Sequence, residues 1–526
     1  MICVTLGRTR NRMMLAEHAA LAQRGAELVE LRLDWIARAP RLGDLLKNRP
    51  TATIITCRRA SDGGRFPGSE ADRQILLRQA IGAGVEYVDL EEDLAASIPR
   101  FGQTQRIVSY HNFEKTPDDL EEIHARMCTL DADIIKVVTM ANSPLDNVRL
   151  LKLIQNAKIP TVAFCMGEYG TMSRVLCGKF GAPFTYCTFS KERVMAPGQL
   201  AFDEMKKLYR YDSINAKTAI FGVLGDPIGH SWSPLLHNAA FKRMGLNAVY
   251  LPLRVPPEEF EATLKAYESL GLRGYSVTIP HKEAALKFAD EADDMAREIG
   301  AANTLSKTAQ GKWFATNTDC GAALESIQLG LSQKSDSTLS GKRVLILGAG
   351  GAARAIGLGV ARAGGIVMLA NRSKDRGSRL AEELKCQFVT WANRGAVAAD
   401  IVVNCTPLGM SPEMNVSPFE QYWFRDGMIA FDTVYNPEST LFLKEAREHN
   451  CIAISGVEMF VRQAAAQFKY FTGRDVSLDE MRTTLRRGIS PVRVKTESGH
   501  AAPTEATSSP ETPPAAKSRE TPPSPG

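Results

Sequence analysis

The chain has 526 residues, of which 44% are hydrophobic and 23% charged, with a formal net charge of +5. That length exceeds what one hydrophobic core organises, so two or three folding units are expected in an ordinary globular composition. The basic residues are scattered rather than gathered into a Lys/Arg block or a basic-aromatic stripe, which argues against a nucleic-acid partner.

Met1-Ile-Cys-Val-Thr-Leu reads as a strand and lacks the basic region, long apolar run and cleavage site of a signal peptide. Up to about residue 210, short β-branched runs alternate with amphipathic stretches. The runs are Ile2–Leu6, Leu28–Leu33, Ala52–Cys57, Tyr87–Leu90, Ile107–Tyr110, Ile134–Val138, Pro160–Cys165 and Phe184–Thr188. A doubly wound sheet has the same alternation, but the count of eight favours an α/β architecture of (β/α)₈ barrel type over residues 1–210.

Within this region Lys136 sits in the apolar run Ile134–Val138. Desolvation should depress the pKa of such a lysine and make it a candidate Schiff-base nucleophile. Taken alone, it reads as readily as a strand-end lysine snorkelling to water. Its company favours chemistry. His111 closes another strand and could shuttle protons, and Glu30-Leu-Arg32 lies at a strand end, where barrels build their sites. Arg58 and Arg174 follow further strands, and three arginines so placed suggest an anionic substrate such as a carboxylate.

The pattern breaks at Tyr209–Lys217, the expected linker, and a new strand starts at Ala219. Three polar clusters follow: Gly229–Pro234 with Ser231 and Ser233, Ser276–Lys282 with Thr278, and Ala301–Thr304 with Asn303, the last followed by Thr316–Asp319. Each alone reads as a turn or cap. Together they could converge on a small polyol, with Lys282 and Asp319 as the acid/base pair that ketone reduction requires. Leu331–Leu339 is polar and is expected to be a loop.

Lys342–Gly348 then forms a strand that opens onto Gly348-Ala349-Gly350-Gly351-Ala352-Ala353. Here Gly348 allows the turn, Gly350 lets backbone approach a pyrophosphate, and Ala353 lets the helix pack closely. The helix start offers free N–H groups to phosphates. A second strand, Ile366–Ala370, ends at Asn371-Arg372-Ser373 with Arg376 behind, where an NAD enzyme usually carries an acid. Guanidinium and hydroxyl groups there suit the 2′-phosphate of NADP(H), the alternative being a solvated loop. The implied architecture is a two-lobed dehydrogenase. Its α/β substrate domain spans residues 218–320, completed by about 461–488, and its Rossmann domain spans 321–460.

Residues 491–526 are rich in Pro, Ser and Thr and are expected to be disordered. The ten cysteines form no C-x-x-C pair and read as reduced thiols, and the eight histidines form no ligand-spaced cluster, so no metal is expected. With no run of 18 apolar residues either, a cytoplasmic location is expected, without membrane partners.

These motifs carry two resemblances. Residues 1–210 resemble type I 3-dehydroquinate dehydratase, which implies that Lys136 forms the Schiff base, that His111 is the acid/base, and that Glu30, Arg32, Arg58, Arg174 and Gln199 bind substrate. One departure is Met195, where the family commonly has Ser before Ala-Pro-Gly-Gln. Residues 218–488 resemble shikimate dehydrogenase, which implies Lys282 and Asp319 as the catalytic pair. Ser231, Ser233, Thr278, Asn303, Tyr435 and Gln463 would contact substrate. Thr406, Thr433, Gly456 and Met459 would line the nicotinamide end of NADP(H). Ser231 favours shikimate over quinate. Two alternatives remain: a barrel that only supports the dehydrogenase, and a second domain acting on quinate with NAD.

Overall fold

The computed structural model describes residues 1–334 and 338–489. Eight parallel strands form the first sheet: β1 (Ile2–Leu6), β2 (Leu28–Arg32), β3 (Ala52–Thr56), β4 (Tyr87–Glu91), β5 (Gln105–Asn112), β6 (Ile134–Met140), β7 (Thr161–Met166) and β8 (Thr185–Thr188). They neighbour one another in the order β7-β6-β5-β4-β3-β2-β1-β8, a nearly closed α/β barrel. Helices cover the outside, so both faces of each strand are buried and the strands read as continuous apolar runs.

Period-two alternation decides what fills the barrel. Leu28, Ile54, Ile107, Ile134, Val138, Phe164 and Tyr186 form one inner cluster. The same parity carries Glu30 and Arg32 on β2, Asp89 and Glu91 on β4, Ser109 and His111 on β5, and Lys136 on β6. Charged residues thus line the C-terminal ends of β2, β4 and β5, while β6 and β7 keep apolar Val138, Phe164 and Met166 facing them beyond Lys136.

The expected linker is short and packed. Tyr209 and Tyr211 are buried against the barrel, while Arg210 donates to the Leu246 and Ala248 carbonyls of the second half. Arg254 joins the halves again, pairing with Asp226 and with Glu168 of the barrel.

The second sheet contains β9 (Ala219–Gly225), β10 (Ala248–Arg254), β11 (Leu272–Val277), β12 (Glu291–Ala292), β13 (Thr304–Lys307) and β14 (Trp313–Thr316), in the order β10-β9-β11-β13-β14-β12. β10, β9 and β11 are parallel, and β13 runs antiparallel to both of its neighbours. The third sheet is wholly parallel, with β15 (Arg343–Leu347), β16 (Ile366–Asn371), β17 (Gln387–Thr390), β18 (Ile401–Asn404), β19 (Ile429–Asp432) and β20 (Ile452–Ile454). Its order, β17-β16-β15-β18-β19-β20, is that of a doubly wound dinucleotide fold.

The helix Gly456–Thr472 ties the two sheets together. Val457, Val461, Ala464 and Phe468 pack with Phe221 and Val223 of β9, while Met459 packs with the third sheet. One expectation fails: Leu331 and Ser332 are not loop but the end of the helix Thr318–Ser332. Leu331 is an apolar anchor in the core of the third sheet, and a window of polar neighbours hid it. The expected disordered tail, residues 491–526, lies outside the described residues.

Candidate active sites

At the C-terminal end of the barrel, Lys136 is 5% exposed, and its Nζ lies 2.9 Å from Asp89 Oδ2 and 3.7 Å from Glu30 Oε1. It stands 4.1 Å from the centre of the Tyr186 ring, whose buried hydroxyl has no hydrogen-bond partner among the described residues. The apolar strand sequence suggested a lysine among hydrocarbon. Across the barrel, two carboxylates instead face it, because alternation on β2 and β4 aims them inward.

Glu30 accepts hydrogen bonds from Thr5 and Thr56, both at 2.7 Å. Arg58 donates to Asp89 at 2.7 Å, Glu91 at 2.9 Å and the Ser109 hydroxyl at 3.0 Å. Arg32 is held by Asp34 through two bonds of 2.9 Å. His111, next to Phe113, is pushed well below its usual pKa by burial and by the charges of Arg58 and Lys136. It is therefore neutral near pH 7 and able to accept a proton.

Arg174 differs from the other arginines. It is 1% exposed, and burial pushes its guanidinium down to about 10. It packs 4.4 Å from the Phe164 ring centre and donates to the Pro197 carbonyl at 3.2 Å. Among the described residues it has no carboxylate partner, so an anion is what its surroundings lack. Pro197 belongs to the loop Met195–Gln199, which also rests on Gly167: a Cβ on Gly198, at φ +73°, would stand 2.3 Å from the Gly167 carbonyl oxygen. Gln199 Oε1 accepts from the Met195 and Ala196 amides at 2.8 and 3.2 Å, so that carbonyl is spent within the loop. Met195 itself packs over Gly7 beside Trp35, next to a cavity of about 130 Å³.

In the second half, Lys282 Nζ and Asp319 Oδ2 lie 2.6 Å apart. Asn303 links their elements. Its Oδ1 accepts from the Thr318 amide at 2.9 Å, and the neighbouring Ala302 amide donates to the Lys282 carbonyl at 2.9 Å. Ser231 and Thr278 lie on the loops after the adjacent parallel strands β9 and β11, and Ser233 opens the helix Ser233–Arg243 that follows the first of them. Ser231 Oγ accepts locally from the Ser233 amide at 3.3 Å, and Gln463 donates to the Phe460 carbonyl at 3.0 Å. Tyr435 stacks on Phe460 at 4.2 Å, and burial pushes its phenol up to about 12. Sequence reasoning missed Gln467, one turn beyond Gln463, which donates to the Asn303 carbonyl at 3.0 Å and accepts from Ser276 at 2.6 Å.

A cleft of about 400 Å³ joins Lys282 to Ala349, Gly350, Gly351, Arg376 and Arg379. Gly348 has φ +113°, and a Cβ there would meet the Cys405 carbonyl oxygen at 2.8 Å. A Cβ on Gly350 or Gly351 would meet nothing within 4 Å, so the turn opens onto free space before the helix Gly351–Arg362. That space, with the helix N-terminus and two arginines, fits a dinucleotide. Asn371 donates to the Ser373 carbonyl at 2.8 Å, and Arg372 is exposed. Thr406 and Thr433 both bond Asn404, and Gly456 lies so close to the Val434 carbonyl that a Cβ would stand 2.4 Å away.

Residues 2–216 match the family model described as type I 3-dehydroquinase, and residues 223–305 match the shikimate dehydrogenase substrate binding domain. Residues 456–486 match the shikimate 5′-dehydrogenase C-terminal domain, and residues 343–421 match the NADP oxidoreductase, coenzyme F420-dependent model. The chloroplastic bifunctional 3-dehydroquinate dehydratase/shikimate dehydrogenase of Arabidopsis thaliana is 38% identical over 483 residues, covering 88% of this chain and 80% of that protein. This chain belongs to the bifunctional 3-dehydroquinate dehydratase/shikimate dehydrogenase family.

The second half has its own relatives. The shikimate dehydrogenase (NADP(+)) of Methanothermobacter thermautotrophicus is 37% identical over 287 residues, 53% of this chain and 99% of that protein. A crystal structure of shikimate 5-dehydrogenase from Thermus thermophilus, in complex with NADP(H) and shikimate, is 34% identical with a TM-score of 0.47. It covers 51% of this chain and 99% of that one. Among the described residues no helix is long and apolar enough to cross a membrane.

Proposed function

We propose that this chain dehydrates 3-dehydroquinate to 3-dehydroshikimate in residues 1–210 and reduces that product to shikimate with NADPH in residues 218–488. The observation that carries this reading is the presence of two separate acid/base sets on one chain: buried Lys136 with neutral His111, and Lys282 bonded to Asp319 beside a dinucleotide-shaped cleft.

In the barrel, Lys136 forms an imine with the substrate ketone, which draws electrons from the neighbouring carbon. His111 removes the proton there and returns one to the departing hydroxyl. Arg174 pairs with the substrate carboxylate, with Glu30, Arg32 and Arg58 arranged around the ring and Gln199 on the loop above.

In the second half, Ser231, Ser233, Thr278, Asn303, Tyr435 and Gln463 hold the ring while Lys282 gives a proton to the developing alkoxide and Asp319 orients it. NADPH supplies the hydride when bound. Residues Gly348–Ala352 would receive its pyrophosphate, and Asn371, Arg372, Ser373 and Arg376 its 2′-phosphate. Thr406, Thr433, Gly456 and Met459 would line its nicotinamide end. We assign residues 218–320, completed by 461–488, to substrate and 321–460 to the dinucleotide. Ten free cysteines support a reducing compartment, the cytoplasm, which cell fractionation tests directly.

A coupled assay tests the whole reading. With 3-dehydroquinate and NADPH, the wild type should consume NADPH, and Lys136→Ala should do so only when given 3-dehydroshikimate. If the wild type also needs 3-dehydroshikimate, the barrel is not a dehydratase.

A further inference from the structure

Asp89 is a buried charge that the mechanism above does not use. Its side chain is 0% exposed. Oδ1 accepts from Arg58 at 2.7 Å and from the Ser109 hydroxyl at 2.6 Å, and Oδ2 faces Lys136 Nζ at 2.9 Å. We propose that Asp89 is the counter-ion of the Lys136 imine, holding the nitrogen in place for attack and keeping the imine protonated. The assignment rests on Lys136 being the Schiff-base lysine.

The chemistry calls for such a group. An imine draws electrons from its neighbouring carbon effectively only when its nitrogen carries a positive charge. The overall exchange, ammonium plus ketone giving iminium plus water, balances in atoms and charge. Neutral His111 takes one ammonium proton so that the free amine adds to the carbonyl carbon. The added nitrogen passes one hydrogen to the oxygen, and as the C–O bond breaks the proton held by His111 joins it, so that the oxygen departs as water while the nitrogen keeps one hydrogen and the positive charge. The fully buried carboxylate beside it therefore faces a positive charge throughout, and what it favours is the charged imine over the neutral one while the neighbouring carbon loses its proton.

Geometry selects Asp89 over the other acids. Glu30 lies farther from Nζ, at 3.7 Å, and its two oxygens already take the Thr5 and Thr56 hydroxyls. Glu91 is taken by Arg58 and Arg73. Only Asp89 presents to the nitrogen an oxygen whose partner oxygen is pinned twice, so the carboxylate cannot swing away. Burial pushes its carboxyl up, but Arg58 and Lys136 outweigh burial and hold it well below the usual range, so it stays ionised.

The test uses full-length Asp89→Asn and Asp89→Glu, with dehydration followed by the ultraviolet absorbance of the conjugated product without NADPH. Borohydride trapping of the substrate adduct is read by mass. For Asp89→Asn, kcat should fall roughly 10²-fold or more, as when one preorganised electrostatic partner is removed, with KM much less affected. The trapping rate should fall with kcat, because borohydride reduces the protonated imine. Asp89→Glu, which restores a carboxylate, should recover part of both.

Thermal melts and dehydrogenase activity on 3-dehydroshikimate report folding. A folded Asp89→Asn that traps adduct at the wild-type rate overturns the proposal, as does a folded Asp89→Glu with no more trapping than Asp89→Asn. If Asp89→Asn does not fold, Asp89→Glu against wild type decides: trapping well above the empty background of Lys136→Ala is expected, and trapping at that background overturns it. Absence of any adduct in the wild type instead overturns the Schiff-base reading, and this assignment with it.

Discussion

Lys282 and Asp319 come from different elements, the start of the helix Lys282–Phe288 and the first turn of Thr318–Ser332, yet their charged atoms lie 2.6 Å apart. Asn303 makes this meeting possible by binding the Thr318 amide next to Asp319, while Ala302 holds the Lys282 carbonyl. Lys282→Met should lower dehydrogenase kcat by roughly 10²- to 10⁴-fold, the usual worth of a positioned acid. Dehydratase turnover, measured on the same preparation, should not change.

Arg376 lines the cleft and donates to the Ala349 carbonyl at 3.4 Å, which places a cation beside the glycine turn. Arg376→Ala should raise KM for NADPH by roughly 10-fold, the loss of about 1.4 kcal/mol of charge-assisted contact, and leave KM for NADH nearly unchanged. Equal losses with both cofactors would contradict its pairing with a 2′-phosphate.

For Arg174, stability and substrate affinity should move in opposite directions. The buried guanidinium has no carboxylate partner among the described residues and costs stability without substrate. Arg174→Met should raise the thermal midpoint, measured by calorimetry, while KM for 3-dehydroquinate rises roughly 10²-fold from the loss of a buried charged contact.

His237 is fully buried, stacked 4.3 Å from Tyr250, with neither ring nitrogen hydrogen-bonded among the described residues, and burial lowers its pKa to about 3. The unfolded chain binds a proton at about 6.5. The native state therefore loses stability as pH falls from about 6.5 toward 3, and holds it fully above that window. His237→Phe should raise neutral-pH stability by about 1 kcal/mol, because two orphaned nitrogens are removed. It should also flatten the fall in melting temperature across the acid range.

Much of the architecture was legible because parallel barrel strands are buried on both faces and therefore appear as short apolar runs. The eight runs noted in the sequence coincide with β1–β8 to within a few residues. The glycine turn was legible for a similar local reason: Gly348 requires φ +113°, and the chain writes that need at one position. Leu331 escapes the reading because it is the last member of the helical period Ala323, Ile327, Leu331, and the polar run that follows it in sequence masks that continuity.

The sequence by itself determined the strands, the nucleotide turn, and the residue types that could do chemistry, since these depend on neighbours a few positions apart. Only the tertiary structure decided that Lys136 faces Asp89, that Arg174 meets no carboxylate among the described residues, and that Arg376 and Arg379 share a cleft with Lys282. Asp89 precedes Lys136 by 47 residues, and their meeting depends on barrel closure. Alternation says which residues share a face. Which faces meet is settled by long-range packing.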